Sequence, residues 1–152
     1  MLPEGFSLAR GSTTDRALLL KLLHRSYREF YPETGFAHLQ DTLQSYFTEE
    51  TPLWWVRNRA GVVSGCLWLG TSIDQISGDR HSHIFLLYVL PEYRRQGIGS
   101  ALMQVAEDYS QQRGDRQITL QVFQTNETAQ QFYRSIEYAP HSILMRKTLS
   151  SS

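Results

Sequence analysis

Arg94, Gly97 and Gly99 stand in the spacing Arg-x-x-Gly-x-Gly, just ahead of an apolar run at Ile98, Ala101, Leu102, Val105, Ala106 and Tyr109. Those apolar residues recur with the period of an amphipathic helix. A helix N-terminus carries unpaired N–H groups and a partial positive charge, and bare glycines let an anion approach them closely. Arg94 and Arg95 add formal positive charge beside it. The chemistry available to these residues is phosphate binding. A Walker loop needs Gly-x-x-x-x-Gly-Lys-Ser/Thr, and the chain contains no such string. A dinucleotide fingerprint needs a third glycine where Leu102 stands and an acidic residue about 20 residues on, and none lies around Thr119.

Two elements must hold this loop. Upstream, residues 84–90 are an apolar run that reads as a buried strand. Pro91 cannot donate to a sheet ladder and ends it. The run shows no polar alternation, so both faces are expected to be covered. Downstream, the helix beginning near Ile98 is expected to end near Arg113, with Gly114 suited to the C-cap. Residues 117–122 alternate as a strand, so strand, helix and strand form a right-handed crossover unit. Asn126 can cap a further helix whose inner face is Ala129, Phe132, Tyr133 and Ile136. Residues 142–148 read as a last strand and 149–152 as a frayed tail.

The N-terminal half reads in the same way. Residues 6–9 are a candidate first strand, and Ser12 to Asp15 look like a helix start. Leu19, Leu22, Leu23, Tyr27 and Phe30 follow helical spacing. Residues 31–35 break that helix, and Phe36, Leu39, Leu43, Tyr46 and Phe47 belong to a second one ending near Glu50. The aromatic-rich break is either core and turn or the wall of an acceptor pocket. Residues 53–57 and 62–71 read as a hairpin, with Trp54, Trp55 and Trp68 as core. Residues 73–82 read as a surface connection or a flared hairpin tip.

The chain has 152 residues, which favours one domain over 1–152 with one core. Lys plus Arg and Asp plus Glu are 15 each, so no net basic field draws it to nucleic acid or membrane. The longest apolar run is far too short to span a bilayer. The N-terminus lacks the basic and apolar regions of a signal peptide. Cys66 is the one cysteine and cannot form an internal disulfide. Together these point to the cytoplasm. Cys66 has no charged neighbour in sequence and reads as a packed thiol rather than a nucleophile. The sequence offers no metal-ligand spacing, no Ser-His-Asp signature and no nucleic-acid motif.

The loop, read as Val-x-Pro-x-x-x followed by Arg-x-x-Gly-x-Gly, resembles the acetyl-CoA loop of the GCN5-related N-acetyltransferases, the GNAT family. The element order is similar to that fold over nearly the whole chain, most specifically over residues 83–138. The resemblance implies an α/β (α+β) fold: a mixed central sheet of six to seven strands, about four helices, and central strands that splay apart. It implies that Leu87, Tyr88 and Val89 contact pantetheine by main chain. Arg95, Gln96, Gly97, Ile98, Gly99 and Ser100 would hold the pyrophosphate, with Arg94 at the motif's polar position. A second block, Asn126-x-x-Ala129-x-x-x-Tyr133, also matches; there the Asn orients the cofactor and the Tyr hydroxyl sits by the thioester sulfur. One departure is Glu137-Tyr138 where the family usually has Gly-Phe. A non-glycine residue costs about 1 kcal/mol or more in a left-handed C-cap, so that turn is open to a different construction.

The implied activity is N-acetyl transfer from acetyl-CoA to a primary amine. It needs a neutral amine, oxyanion stabilisation and a proton for the sulfur. The resemblance assigns the oxyanion donor to the Val89 N–H or its neighbour, the acid to Tyr133, and the base to His83, whose unperturbed pKa of about 6.5 suits neutral pH. His83 could equally be a strand-end residue facing solvent, and His81 is a weaker candidate acting through water. His24, His38 and His141 have no constellation. A second class of function is an acyl-CoA-binding sensor without turnover. A third is a dimeric scaffold, with the last strand or the hairpins supplying the contact. The amine acceptor has no motif, and no metal is implied.

Overall fold

The computed structural model describes residues 1–33 and 35–150. Thr34, within the expected helix break, and Ser151 and Ser152, at the end of the expected tail, lie outside the described residues. The chain divides into two compact units, Met1–Leu120 and Gln121–Ser152.

In the first unit, strands β1 (Ser7–Arg10), β2 (Leu53–Arg57), β3 (Val63–Ile73), β4 (Arg80–Val89) and β5 (Ile118–Thr119) form one sheet in that order. The first three pairings are antiparallel; β4 and β5 are parallel. Helices α1 (Arg16–Phe30) and α2 (His38–Tyr46) connect β1 to β2, and α3 (Ile98–Arg113) connects β4 to β5. Ser12 starts the first helical segment with a capping box. Its hydroxyl accepts from the Thr14 N–H at 3.3 Å, and its own N–H donates to Asp15 Oδ2 at 3.0 Å. The same Asp15 oxygen accepts the Trp55 indole N–H at 3.0 Å, fastening the helix start to β2.

Side chains alternate across the sheet and meet helices on both sides. Leu53, Trp55, Cys66, Trp68, Leu86 and Tyr88 form a buried cluster with Leu19, Leu22, Leu23, Leu39, Leu43 and Phe47 of α1, α2 and the residue after α2. On the opposite face, α3 packs on β3 and β4 through its buried residues Ile98, Ala101, Leu102, Met103 and Ala106. Trp54 meets Tyr109 of α3 edge to face, with ring centroids 5.5 Å apart. Cys66 is fully buried, and burial pushes its thiol up to about 12, so it is a packed thiol. Among the described residues no helix is long and apolar enough to cross a membrane.

The β3–β4 register contains one irregularity. Trp68 pairs with Leu86 and Leu69 with Ile84, leaving Phe85 as an extra residue in β4. Such a bulge reverses which residues face which side. Phe85 lies on the helix-covered face with Leu86, packing on Trp68 at 4.8 Å between centroids. Gly70 is what makes room, because a Cβ there would fall inside the Phe85 ring.

The expected six to seven strands are five among the described residues. The strand expected over 117–122 pairs only at Ile118 and Thr119. Residues 142–148, expected as a last strand, are in no strand and are exposed. Alternation supplies the pattern of a strand, but a strand also needs partner backbone, and the second unit contains no described strand to pair with. That unit holds α4 (Glu127–Ser135), capped by Asn126, whose side chain accepts from the Ala129 N–H at 3.1 Å. Glu137 closes α4 with φ 73°, so the turn is left-handed as a glycine would make it. The question the sequence left open is answered by the same left-handed turn with Glu137 in the glycine's place: the Tyr138 N–H donates to the Tyr133 carbonyl at 2.9 Å, and that bond holds the strained residue.

Gly70→Ala should lower stability by about 1–3 kcal/mol, the cost of overpacking a filled site. The measurement is the urea midpoint with the slope unchanged. An unshifted midpoint would mean that Phe85 leaves its place without cost.

Candidate active site

β4 runs into the loop that the sequence singled out. The loop turns on two left-handed residues, Arg95 at φ 64° and Gly97 at φ 89°, and Gly97 is the N-cap of α3. The first helical bond runs from the Ala101 N–H to the Gly97 carbonyl at 3.0 Å, so the N–H groups of Ile98, Gly99 and Ser100 precede the ladder. Gly97 as N-cap has no side chain to cap them. Nothing lies within 4 Å of a Cβ built on Gly97, and Arg95, Gln96, Gly97 and Ser100 are exposed. The cradle is therefore open to an anion, and it fits the pyrophosphate of a coenzyme A. Arg95 in the left-handed region carries a cost of about 1–2 kcal/mol, strain of the kind that collects at binding loops.

Arg94 does something else. Its two terminal nitrogens donate to both Glu29 carboxylate oxygens at 2.6 and 2.8 Å, and its Nε donates to the Val89 carbonyl at 2.8 Å. The Tyr88 hydroxyl donates to the same carboxylate at 2.8 Å. Arg94 thus ties the loop to α1 and to the end of β4, and its charge is matched locally. The hydrogen bonds from Arg94 hold the Glu29 carboxyl below its ordinary value, outweighing desolvation. Burial, then the adjacent Glu29, pushes the Tyr88 phenol up to about 12. Glu29 was not legible as a site residue, since it sits among ordinary charged positions of α1.

The edge of β4 opens beyond His83. Pairing with β5 is limited to Ser82 with Ile118 and His83 with Thr119. The Leu90 N–H donates to the Ser64 carbonyl of β3 at 3.0 Å. Successive N–H groups in a strand point to opposite edges, so those of Leu87 and Val89 point away from β3. Tyr88, paired with Cys66, turns its main chain to β3 instead.

His81 and His83 precede the bulge and share one face. His83 Nδ1 lies 2.7 Å from Thr119 Oγ1, and His81 Nε2 lies 3.0 Å from the same oxygen. His83 is half-buried, not a solvent-facing strand end, and its ring meets Phe85 at 5.9 Å. Burial, and secondarily the charge of His81, lowers the His83 pKa below its ordinary value, so His83 is neutral at pH 7. Tyr46 lies against Phe85 at 5.6 Å and is 55% exposed, an aromatic surface one residue removed from His83. His24 and His38 pack on Phe36 and Tyr27 instead.

In the second unit, Tyr133 lies on the half-buried side of α4 with Ala129 and Phe132. Burial pushes its phenol up to about 12, so it holds its proton across the neutral range. Asn126 spends its side-chain oxygen on the helix cap.

A model of the acetyltransferase (GNAT) family matches residues 18–138. The chain is 28% identical to the uncharacterized N-acetyltransferase YdgE of Bacillus subtilis over 110 residues, covering 72% of this chain and 65% of that protein. A GCN5-related N-acetyltransferase from Ralstonia eutropha JMP134 shares the fold with a TM-score of 0.78 at 20% identity, over 95% of this chain and 99% of that one. An aminoglycoside N-acetyltransferase solved in complex with CoA superposes with a TM-score of 0.72 at 15% identity, over 98% and 100% of the two chains.

Glu29→Gln should destabilise the first unit by about 1 kcal/mol at neutral pH, the upper range for a pair this exposed. Because the folded pKa of Glu29 is lowered, its contribution is complete above the unfolded value and is lost as pH falls through the folded one. The difference in Tm between wild type and variant should therefore be widest near neutrality and close in acid. A constant difference across that range would remove the Arg94–Glu29 pair as its source.

Proposed function

The chain belongs to the acetyltransferase (GNAT) family, and on that premise we propose that it is an N-acetyltransferase, moving an acetyl group from acetyl-CoA to a primary amine of a small molecule or protein by direct attack in a ternary complex. The observation that carries the reading is the open N-terminus of α3 behind Gly97, reached from a β4 edge whose outward N–H groups at Leu87 and Val89 are unclaimed by strand pairing among the described residues. The N-acetyltransferase name of the curated relative and the CoA bound by the aminoglycoside N-acetyltransferase support it. The family match runs through both compact units, which supports one functional domain over residues 1–152.

Each residue then has a task. The N–H groups of Arg95, Gln96, Gly97, Ile98, Gly99 and Ser100 hold the pyrophosphate, and the outward main chain of Leu87 and Val89 holds the pantetheine arm, with Tyr88 between them turned to β3. Arg94 keeps the loop in place through Glu29 rather than by its own charge. Asn126 orients the cosubstrate. His83, neutral at pH 7, accepts the proton of the incoming ammonium. The Val89 N–H faces the negative charge that develops on the acetyl oxygen. Tyr133 gives its proton to the departing sulfur. An acyl-CoA sensor without turnover is the weaker reading, because residues able to handle both protons are present. The lone buried Cys66 is consistent with a cytoplasmic protein.

Acetyl-CoA should raise the Tm by mass action on the native state. Gly99→Asp should abolish that rise while leaving the chain folded, because the carboxylate would occupy the anion site. A melt unmoved by excess acetyl-CoA but raised by a nucleotide would overturn the assignment.

Tyr133→Phe removes one oxygen and keeps the ring. Loss of a general acid costs about 10²–10⁴ in rate, and the lower end is expected for a thiolate leaving group. Acetyl-CoA affinity should barely move, since the proton is needed only as the bond breaks. An unchanged kcat in a chemistry-limited assay would exclude Tyr133 as the acid.

A further inference from the structure

His83 does not stand alone at the head of β4. It ends a continuous row of hydrogen-bonding groups. Asp74, in the β3–β4 turn, has its Oδ2 3.2 Å from Gln117 Nε2. The same Gln117 nitrogen lies 3.3 Å from His81 Nδ1. His81 Nε2 and His83 Nδ1 then share the Thr119 hydroxyl at 3.0 and 2.7 Å. His81 is 4% exposed, so its ring depends on these partners. We propose that Gln117, acting through His81 and Thr119, sets which ring nitrogen of His83 carries the proton, and so whether His83 offers a donor or a base to the acceptor amine.

The donor inventory fixes the sequence of protons. An ionised carboxylate only accepts, so Gln117 must turn its amide nitrogen to Asp74. The Asp74 carboxyl is held below its ordinary value, first by the Ile76 N–H at 2.8 Å, so it is ionised near neutrality. An amide nitrogen has two protons and no acceptor site, so the second goes to His81 Nδ1. In its uncharged form His81 then carries its proton on Nε2 and donates to Thr119. A hydroxyl has a single proton, so Thr119 can give it only to His83 Nδ1. Neutral His83 is left with its proton on Nε2. In this form the remaining His83 nitrogen is a donor.

The base form requires the row to reverse. The Gln117 amide turns its oxygen to His81, which then carries its proton on Nδ1; the same Gln117 atom touches both partners, so Asp74 gives up that donor in this form and keeps the Ile76 N–H. The proton on His81 Nε2 passes to Thr119, and that of Thr119 passes to His83 Nδ1. One proton leaves His83 Nε2 to water and one arrives from water at His81 Nδ1, so the total is unchanged. His83 Nε2 is now bare and can take a proton. At the Asp74 end, the Asp74 N–H donates to the Asp79 carbonyl, and the Asp79 carboxylate is paired with Arg116 at 3.7 Å. On β3, Gly70 stands opposite His83 and Ser72 opposite His81. Phe85 lines the ring of His83, and the Arg113–Asp115 pair is engaged with Ser82, whose side chain alternates to the other face. Among the described residues, the ionisable groups of the row are Asp74, His81 and His83.

The part of this inference that concerns the base rests on the acetyltransferase reading, so the test separates the two. Nitrogen-15 NMR of the histidine rings in the full chain at neutral pH reports each tautomer without any assay of activity. Wild type should show both His81 and His83 protonated on Nε2. Gln117→Glu presents only acceptors and should move both protons to Nδ1. Thr119→Val should uncouple the rings, so that Gln117→Glu in that background moves His81 alone, while Thr119→Ser restores coupling. A wild-type His83 protonated on Nδ1, or a His83 tautomer indifferent to Gln117→Glu, would overturn the proposal. The kcat/KM for acetyl transfer should rise in Gln117→Glu at neutral pH. It should fall in Thr119→Val by less than the roughly 10²–10⁴-fold expected for losing a base outright. Tautomers that switch with no change in rate would leave the row standing and remove His83 from the chemistry.

Discussion

The extra residue in β4 decides what this sheet can present. Without a bulge, His81, His83 and Phe85 would share a face with Leu87 and Val89. Phe85 stands unpaired between Leu86 and Ile84, so the odd-numbered residues before it share a face with Leu86 and Tyr88 after it. That reversal places the histidines on the side of the sheet covered by α1 and α2, next to Phe85 and the exposed Tyr46. It depends on Gly70, where any side chain would collide with the Phe85 ring. Packing, register and the placement of the proposed base therefore share one constraint.

The loop between β4 and α3 is built on opposing terms. Arg95 and Gly97 take left-handed backbone so that α3 begins with its N–H groups uncovered, and Arg95 does so against the preference of a side-chain-bearing residue. The offset comes from the neighbouring Arg94. It binds Glu29 with two short bonds and the Val89 carbonyl with a third, linking α1, β4 and the loop. Arg94 thus serves the loop's shape, while the main-chain groups at the start of α3 are the ones proposed to meet the anion. Glu137 repeats the pattern in the second unit, where a strained left-handed residue closes α4 two residues after its end and the Tyr138 N–H bond holds it.

Local patterns in the sequence determined much of this. The helical period fixed α3 to its observed first and last residues, because the apolar stripe and the glycine cap are both local. The Ser12 capping box, the β2 strand and the Asn126 cap were legible for the same reason. The glycine spacing, with Asn126 and Tyr133, pointed to the family that the match over residues 18–138 shows. Tertiary structure decided the rest. The short β5 and the missing last strand depend on whether partner backbone is at hand, which alternation does not encode. Glu29 becomes a loop anchor only because α1 brings it to Arg94, 65 residues away in sequence. The partners of His83 follow from two facts that no local pattern carries: the parallel pairing of His83 with Thr119, and the bulge that turns both histidines to one face. A proton's place on an imidazole is set by whatever touches the other nitrogen. That neighbour lies 36 residues along the chain and is supplied by the fold.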